Sequence, residues 1–377
     1  MHPVASFLEL FGDADQMAVD RAVAELRSGR PVLVEIATTT LLVLAAEGLD
    51  SRQAQALDRL ASGRAHLLLP EARLRRLGLE RSGAGRVALP LVDAERIERL
   101  VGGVDARIDA PVAPTDEGDE LALELMRITM MLPAAILVPL DPGDAGIASS
   151  CRVKGRAIET YRANATRNLK ITGRAPVPLE ISAKTEFVVF RGGEGMRDQV
   201  AIVVGEPDRD EPVPVRIHSA CLTGDLFGSL KCDCGDQLRG AVSWMAENGG
   251  GVLLYLDQEG RGNGIANKMR AYRLQADGFD TYDADEVLGF GPDQRRFDFA
   301  AAMLAQLGIH RVLLLTNNPE KIAALRTAGL EVVADQRVHG RPTAENVRYL
   351  ASKRDRAGHL IDFESLFGRT PLADLSS

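Results

Sequence analysis

Cysteine is scarce in this 377-residue chain: there are four, Cys151, Cys221, Cys232 and Cys234. So few exclude a disulfide framework, and a chain of this length buries cores large enough to fold without one. Positive charge is not in excess either, since 45 Lys and Arg against 53 Asp and Glu give a net charge of −8. That balance argues against a general nucleic-acid binder, which carries a basic domain. It still allows an anionic small ligand where Lys and Arg gather locally. No apolar run reaches the roughly 20 residues that a membrane-spanning helix needs. The N-terminus lacks a basic stretch followed by an apolar one, and Glu9, Asp13 and Asp15 come early, so no secretory signal is expected. Aromatics are few at 5%, while 45% hydrophobic and 26% charged residues fit an ordinary soluble globular protein. A cytoplasmic location is expected.

The length suggests two domains, and the pattern predicts a mixed α/β (α+β) architecture with boundaries at 1–145, a linker at 146–178, a second domain at 179–365 and a tail at 366–377. The first domain opens with a helix placing Met17, Val19, Ala22, Val23 and Leu26 on one face. Apolar runs at Pro31–Ile36 and Leu41–Ala45 read as strands. Gly102–Glu120 and Pro139–Ser150 are rich in Asp, Pro or Gly and read as loops, and a basic segment runs from Arg152 to Arg174. The second domain predicts a mixed sheet flanked by helices, with strands at Glu186–Phe190, Gln199–Val204, Val213–Ile217, Gly251–Leu256 and Arg311–Thr316. Asp236 is placed to cap a helix whose apolar face is Leu238, Ala241, Val242 and Met245. Asn318 and Pro319 start another, closed by Gly329.

Three of the four cysteines fall within fourteen residues, as Cys221-x10-Cys232-x-Cys234. Zinc prefers sulfur and nitrogen ligands in tetrahedral geometry, and a catalytic zinc keeps one position open for water. Three thiols without a fourth nearby fit that open site. His218 is the only local candidate for a fourth ligand, and its spacing from Cys221 is awkward. Buried free thiols are the alternative, which the Gly, Asp and Lys residues between the cysteines disfavour. Cys151 stands apart and reads as inert. Downstream, the run Leu253–Leu256 enters Asp257-Gln258-Glu259-Gly260-Arg261-Gly262-Asn263-Gly264. Glycines there let backbone N–H groups approach oxyanions, and Arg261 offers a bidentate phosphate partner; a simple turn is the plainer reading. Lys268, Arg270 and Tyr272 follow at helical spacing, which also suits a solvated basic face. Asp293 and Arg295 sit two apart on a loop, where a surface ion pair is the alternative. Thr316-Asn317-Asn318-Pro319 joins strand to helix, where free N–H groups favour an anion. Lys321, in the first turn, runs against the macrodipole preference and suggests a ligand-facing role.

Together these segments closely resemble GTP cyclohydrolase II, over roughly Lys184 to Leu360. The resemblance is carried by His218-Ser219, Cys221-Leu222-Thr223-Gly224-Asp225, Cys232-Asp233-Cys234-Gly235, Gln258-Glu259-Gly260-Arg261, Asn267-Lys268, Arg270-Ala271-Tyr272, Leu288-Gly289-Phe290 and Leu315-Thr316-Asn317-Asn318-Pro319. It implies opening of the imidazole ring of GTP, with loss of formate and pyrophosphate, as the entry to riboflavin synthesis. It implies Cys221, Cys232 and Cys234 as zinc ligands, Tyr272 as the active-site tyrosine, Asp293 as proton acceptor and Arg295 at the α-phosphate. Arg216, His218, Ser219, Gln237, Glu259, Gly260, Arg261, Thr281, Thr316 and Lys321 fall on nucleotide-binding positions. Mg2+ is implied with the triphosphate, and a homodimer is implied as the assembly. Four positions depart from the family pattern: Ala220 where Glu is usual, Asp257 where an Arg or an uncharged residue is usual, Asn263 for an aliphatic, and Arg296 for an acid. Ala220 and Asp257 motivate an alternative, a paralogue opening another nucleotide ring as in uracil breakdown; a nucleotide-binding regulator without turnover is the non-enzyme alternative.

The first domain resembles 3,4-dihydroxy-2-butanone 4-phosphate synthase at Ala22–Leu26, Gly29-Arg30-Pro31-Val32 and Ala45-Ala46-Glu47. Where that family carries an acidic, arginine-containing metal loop, this chain has Glu35-Ile36-Ala37-Thr38-Thr39-Thr40. The resemblance therefore implies a degenerate, non-catalytic domain kept for stability, dimerisation or regulation.

Overall fold

The computed structural model describes residues 12–37, 39–141, 150–291 and 294–338, with 340, 343, 346 and 354. The expected tail at 366–377 lies outside the described residues. Backbone contacts divide the chain into two units, the first comprising residues up to Ala165 with 269–272 and 283–291, the second comprising the rest.

The first unit contains α1 (Ala14–Arg27), β1 (Val32–Ile36), β2 (Thr39–Ala45), α2 (Ser51–Ala61), β3 (His66–Leu69), α3 (Glu71–Arg76), β4 (Gly85–Ala88), α4 (Ala94–Gly102), β5 (Val112–Pro114), α5 (Glu117–Thr129), β6 (Ala135–Leu140) and β7 (Cys151–Lys154), followed by α6 (Gly155–Arg167). Its sheet has the order β5-β4-β3-β6-β2-β1-β7; β1 and β7 are parallel and the other pairs antiparallel. Val32 and Val34 of β1 pack in one core with Val19, Ala22, Val23 and Leu26 of α1 and with Leu121, Leu125 and Tyr161. Met17, expected on the buried face of α1, is 47% exposed, because it precedes Val19 by two residues and so stands about 200° round the helix from it. Asp20 is buried instead and accepts a hydrogen bond from the Tyr161 hydroxyl. The Asp-rich stretch read as a loop contains β5 and the start of α5, where Asp116 and Asp119 form a capping box.

The segment 146–178, read as a linker, carries β7, α6 and β8 (Lys170–Pro176). α6 buries Ala157, Ile158, Tyr161 and Ala165 at helical spacing. The second unit continues with β9 (Thr185–Arg191), β10 (Gln199–Val204), β11 (Val213–Ser219), α7 (Cys234–Glu247), β12 (Gly251–Leu256), α8 (Ile265–Ala276), α9 (Thr281–Val287), α10 (Asp298–Gln306), β13 (Arg311–Leu315), α11 (Pro319–Thr327) and β14 (Glu331–Gln336); α8 and α9 are shared between the units. The sheet order is β14-β13-β11-β12-β10-β9-β8. Strands β8, β9, β10 and β12 pair antiparallel, whereas β12, β11, β13 and β14 pair parallel. The expected mixed sheet is therefore present, and the C-terminal ends of β11, β12 and β13 point the same way. α7 covers it through Ala241, Val242 and Met245, packed with Val204, Leu253 and Leu315. This helix begins at Cys234, two residues before the expected cap; Asp236 lies in its first turn and pairs with Arg239 at 3.1 Å. Asn318 caps α11 as expected, accepting from the Glu320 N–H at 2.9 Å. Among the described residues, no helix is long and apolar enough to cross a membrane.

Candidate metal centre and its surroundings

At the C-terminal end of β11, Ala220 N–H donates to the Leu256 carbonyl at 2.8 Å. Cys221 then opens a wide π-type turn, Leu222–Leu226, and the chain returns through Cys232 to Cys234, the first residue of α7. The three Sγ atoms lie within 4.8 Å of one another, with Cys221 and Cys232 at 3.7 Å. A tetrahedral zinc with bonds of about 2.3 Å would set its sulfurs about 3.8 Å apart, so the donor set fits that ion. Among the described residues, no fourth His, Cys, Asp or Glu joins the group. His218 is turned elsewhere, with Nε2 at 3.0 Å from Asp225.

Two glycines let this turn close. A Cβ on Gly224 would stand 2.7 Å from Cys232 Sγ and 3.1 Å from Cys221 Sγ, and one on Gly235 would stand 2.2 Å from the Gly224 carbonyl oxygen. The two segments therefore meet backbone to backbone beneath the thiols.

Two carboxylates frame Cys221. Asp225 accepts from the Cys221 N–H at 2.9 Å, from the Tyr255 hydroxyl at 3.0 Å and from His218 Nε2, while its own N–H donates to the Cys221 carbonyl at 2.7 Å. Tyr255 stacks on His218, with ring centroids 5.6 Å apart. Glu259 accepts from the Leu222 N–H at 2.6 Å and from Lys268 Nζ at 2.8 Å. Lys268 Nζ also lies 3.0 Å from both Cys221 Sγ and Thr223 Oγ1. Hydrogen bonds from Cys232 and Cys234, and then the Lys268 ammonium, hold the Cys221 thiol far below its ordinary range. Cys221 in turn pushes Cys232 up to about 11. Burial lowers the His218 pKa despite its Asp225 partner; burial, with Asp225 beside it, raises that of Tyr255.

The other expected site residues divide clearly. Arg216 is buried, donating to the Leu315 carbonyl at 3.0 Å and to Gln237 Oε1 at 2.6 Å; burial lowers its pKa to about 10. Gln237 donates on to Asp233. Lys321 reaches inward to the Ile217 carbonyl at 2.7 Å. Thr316 accepts from the Asn318 N–H at 3.0 Å. Gly260 and Arg261 both adopt φ of 60°, and the Arg261 guanidinium lies 4.6 Å over the Tyr282 ring and donates to the Thr281 carbonyl at 3.5 Å. Arg295 lies over Phe297 at 5.6 Å. Asp293 lies outside the described residues, but its neighbour Gln294 donates its N–H to the Arg261 carbonyl at 3.1 Å. Tyr272, half-buried on α8 one turn beyond Lys268, falls in the stretch 269–272 that belongs to the first unit. In that unit Arg270 pairs with Glu47 at 2.6 Å.

Of the departures from the family pattern, Ala220 adjoins the first cysteine and the Asp257 side chain is exposed. Asn263 is buried, and Arg296 pairs with Asp298. Among the described residues, three buried polar atoms near the end of β11 have no hydrogen-bond partner: Arg216 Nε, His218 Nδ1 and Ser219 Oγ. The clamp formed by Asp225 and Tyr255, and the contact of Lys268 with Cys221, are the site features that sequence reasoning missed. Asp225 at four residues past Cys221 was the available signal; nothing in the sequence pointed to Tyr255.

The GTP cyclohydrolase II family model matches residues 170–337. The GTP cyclohydrolase-2 of Xylella fastidiosa (strain 9a5c) is 46% identical over 366 residues, covering 94% of this chain and 90% of that protein. That of Azospirillum brasilense is 41% identical over 370 residues, covering 93% and 95%. The riboflavin biosynthesis protein RibBA of Bacillus subtilis (strain 168) is 49% identical over 191 residues, 49% of this chain and 48% of that protein.

Proposed function

This chain belongs to the GTP cyclohydrolase II family, and we propose that it holds one zinc ion on Cys221, Cys232 and Cys234 and opens the imidazole ring of GTP, releasing formate and pyrophosphate and leaving a diaminopyrimidinone ribosyl phosphate for riboflavin synthesis. The observation that carries the metal part is the convergence of three thiols within 4.8 Å. Cys221, Cys232 and Cys234 would hold the ion, which would supply Lewis-acid activation of water for attack on the purine carbon between two nitrogens. Asp225 and Glu259 fix the backbone of the first ligand so that the thiols converge without rearrangement. Buried polar atoms are nearly always partnered, so Arg216 Nε, His218 Nδ1 and Ser219 Oγ support a polar ligand at the end of β11. Gln237, Glu259, Gly260, Arg261, Thr281, Thr316 and Lys321 complete the nucleotide site. Tyr272 assists ring opening by proton donation or orientation, Asp293 accepts a proton, and Arg295 serves cleavage at the α-phosphate. Mg2+ accompanies the triphosphate.

The first unit is a non-catalytic relative of 3,4-dihydroxy-2-butanone 4-phosphate synthase in this reading. Supporting it, Glu35 is the one acidic residue of the segment 35–40 and is engaged with Arg152 at 2.9 Å. The assembly is a homodimer in the cytoplasm. The test is to incubate the zinc-loaded protein with GTP, with and without a chelator, and to measure formate and the pyrimidine product. Folded, zinc-replete protein that leaves GTP intact would overturn the proposal. A nucleotide panel in which GTP is not preferred would overturn the substrate, and would trace to Ala220 or Asp257.

A further inference from the structure

Of the three thiols, Cys221 has a lysine ammonium at hydrogen-bond distance. Lys268 Nζ stands 3.0 Å from Cys221 Sγ, is 2.8 Å from Glu259 Oε1, and both side chains are 10% exposed. Glu259 is in turn tied by its other oxygen to the Leu222 N–H, the residue after Cys221. The ammonium is thus held against the sulfur by a carboxylate that is itself locked to the turn. Three thiolates and a divalent ion sum to one negative charge, which makes the metal a poor Lewis acid; the Lys268 ammonium, shared with Glu259, offsets part of that charge locally at Cys221. Resting on the zinc reading above, we propose that Lys268 is a positioning and charge-balancing residue of the metal centre: its hydrogen bond to Cys221 Sγ draws electron density from the thiolate and so keeps the metal electrophilic, with Glu259 holding the lysine in register. Partners of metal ligands of this kind typically change affinity or activity by about 10- to 100-fold when removed.

Cobalt(II) substitution reads the sulfur directly, through the thiolate-to-cobalt charge-transfer absorption. The native chain is loaded first; no stoichiometric cobalt–thiolate band there means that the metal reading itself has failed. Given that band, Lys268→Met is expected to move it to longer wavelength, because a sulfur without its hydrogen bond gives up charge more readily. In the zinc-loaded form, kcat is expected to fall by about 10- to 100-fold. Lys268→Arg keeps charge and donors, and its band is expected to stay near the native position. Should Lys268→Met not fold, Lys268→Gln, which is neutral but keeps an N–H donor, carries the test, with a smaller shift in the same direction. A cobalt-replete neutral variant with the native band position overturns the proposal, even where its turnover is reduced.

Discussion

Gly224→Ala adds a single methyl group where three cysteine side chains already converge. Its Cβ would lie 2.7 Å from Cys232 Sγ, 3.1 Å from Cys221 Sγ and 3.1 Å from Cys234 Cβ. Ordinary contacts lie near 3.5–4.0 Å, so the closest sulfur must retreat by about 1 Å. A metal site tolerates only about 0.2 Å in its bond lengths. Overpacking of one methyl typically destabilises by about 1–3 kcal/mol, and each 1.4 kcal/mol is about tenfold in affinity, so zinc binding should weaken roughly 5- to 150-fold. Backbone strain does not confuse the test, because Gly224 is not in the left-handed region. Gly240→Ala on α7 is the matched control: nothing lies within 4 Å of its added Cβ, so zinc affinity should hold and helix stability should rise by about 0.5–1 kcal/mol. Competition with a metallochromic chelator, alongside thermal denaturation, measures both variants. Native zinc affinity in a folded Gly224→Ala protein would refute the steric argument, as would an equal loss in the control.

Asp225→Ala strips the acceptor from Cys221 N–H, His218 and Tyr255. Leaving three donors unmet, at about 1–3 kcal/mol each, should lower urea stability by at least about 3 kcal/mol; a loss under about 1 kcal/mol would mean that water replaces the carboxylate. Arg73, 1% exposed, donates to the carbonyls of Leu100, Val287, Arg99 and Gly103. Burial lowers its pKa to about 10, which still leaves it charged at neutral pH. Arg73→Ala abandons four carbonyl acceptors, two of them in buried and two in part-buried hydrogen bonds, and should cost about 3–5 kcal/mol by the same denaturation. Asp20 has its pKa raised by burial, against the lowering influence of Tyr161. Its native form therefore binds a proton more tightly than the unfolded chain, so its contribution declines as pH rises from 3.8 through the raised value. Asp20→Asn should abolish that decline, which stability measured at several pH values between 3.5 and 7 would reveal; an unchanged slope would refute it.

Where side-chain pattern alone decides an element, the chain was readable. Gln199–Val204 and Gly251–Leu256 are strands with the expected bounds, since apolar runs of that length have few other places to go. The thiol cluster was equally legible, because its members lie close in sequence. Harder were features set by direction or by distance along the chain. The Arg-rich run 152–167 hid the apolar stripe of α6, and the capping box of Asp116 and Asp119 turned an apparent loop into a helix start. Thr316 and Lys321 carried an anion-site signature, and the structure adds partners that the sequence could not name, Asn318 and the Ile217 carbonyl. Lys268 is 47 residues from Cys221, so its contact with that thiol follows only from how α8 is laid down beside the turn.

The close backbone meeting of Gly224 and Gly235 has a bearing on how such a centre is matured in a cell. In small zinc domains the ion nucleates the fold, so synthesis and metal supply are bound together. Here the glycine contact, with the carboxylates either side of Cys221, holds the thiols in place by ordinary covalent and hydrogen-bonded geometry. On the proposed zinc reading this predicts that chelator-treated protein keeps its fold, which thermal denaturation with and without chelator would check; loss of the transition on chelation would refute it. Metal loading would then be a matter of ion delivery and proton release, separate from the folding of the chain.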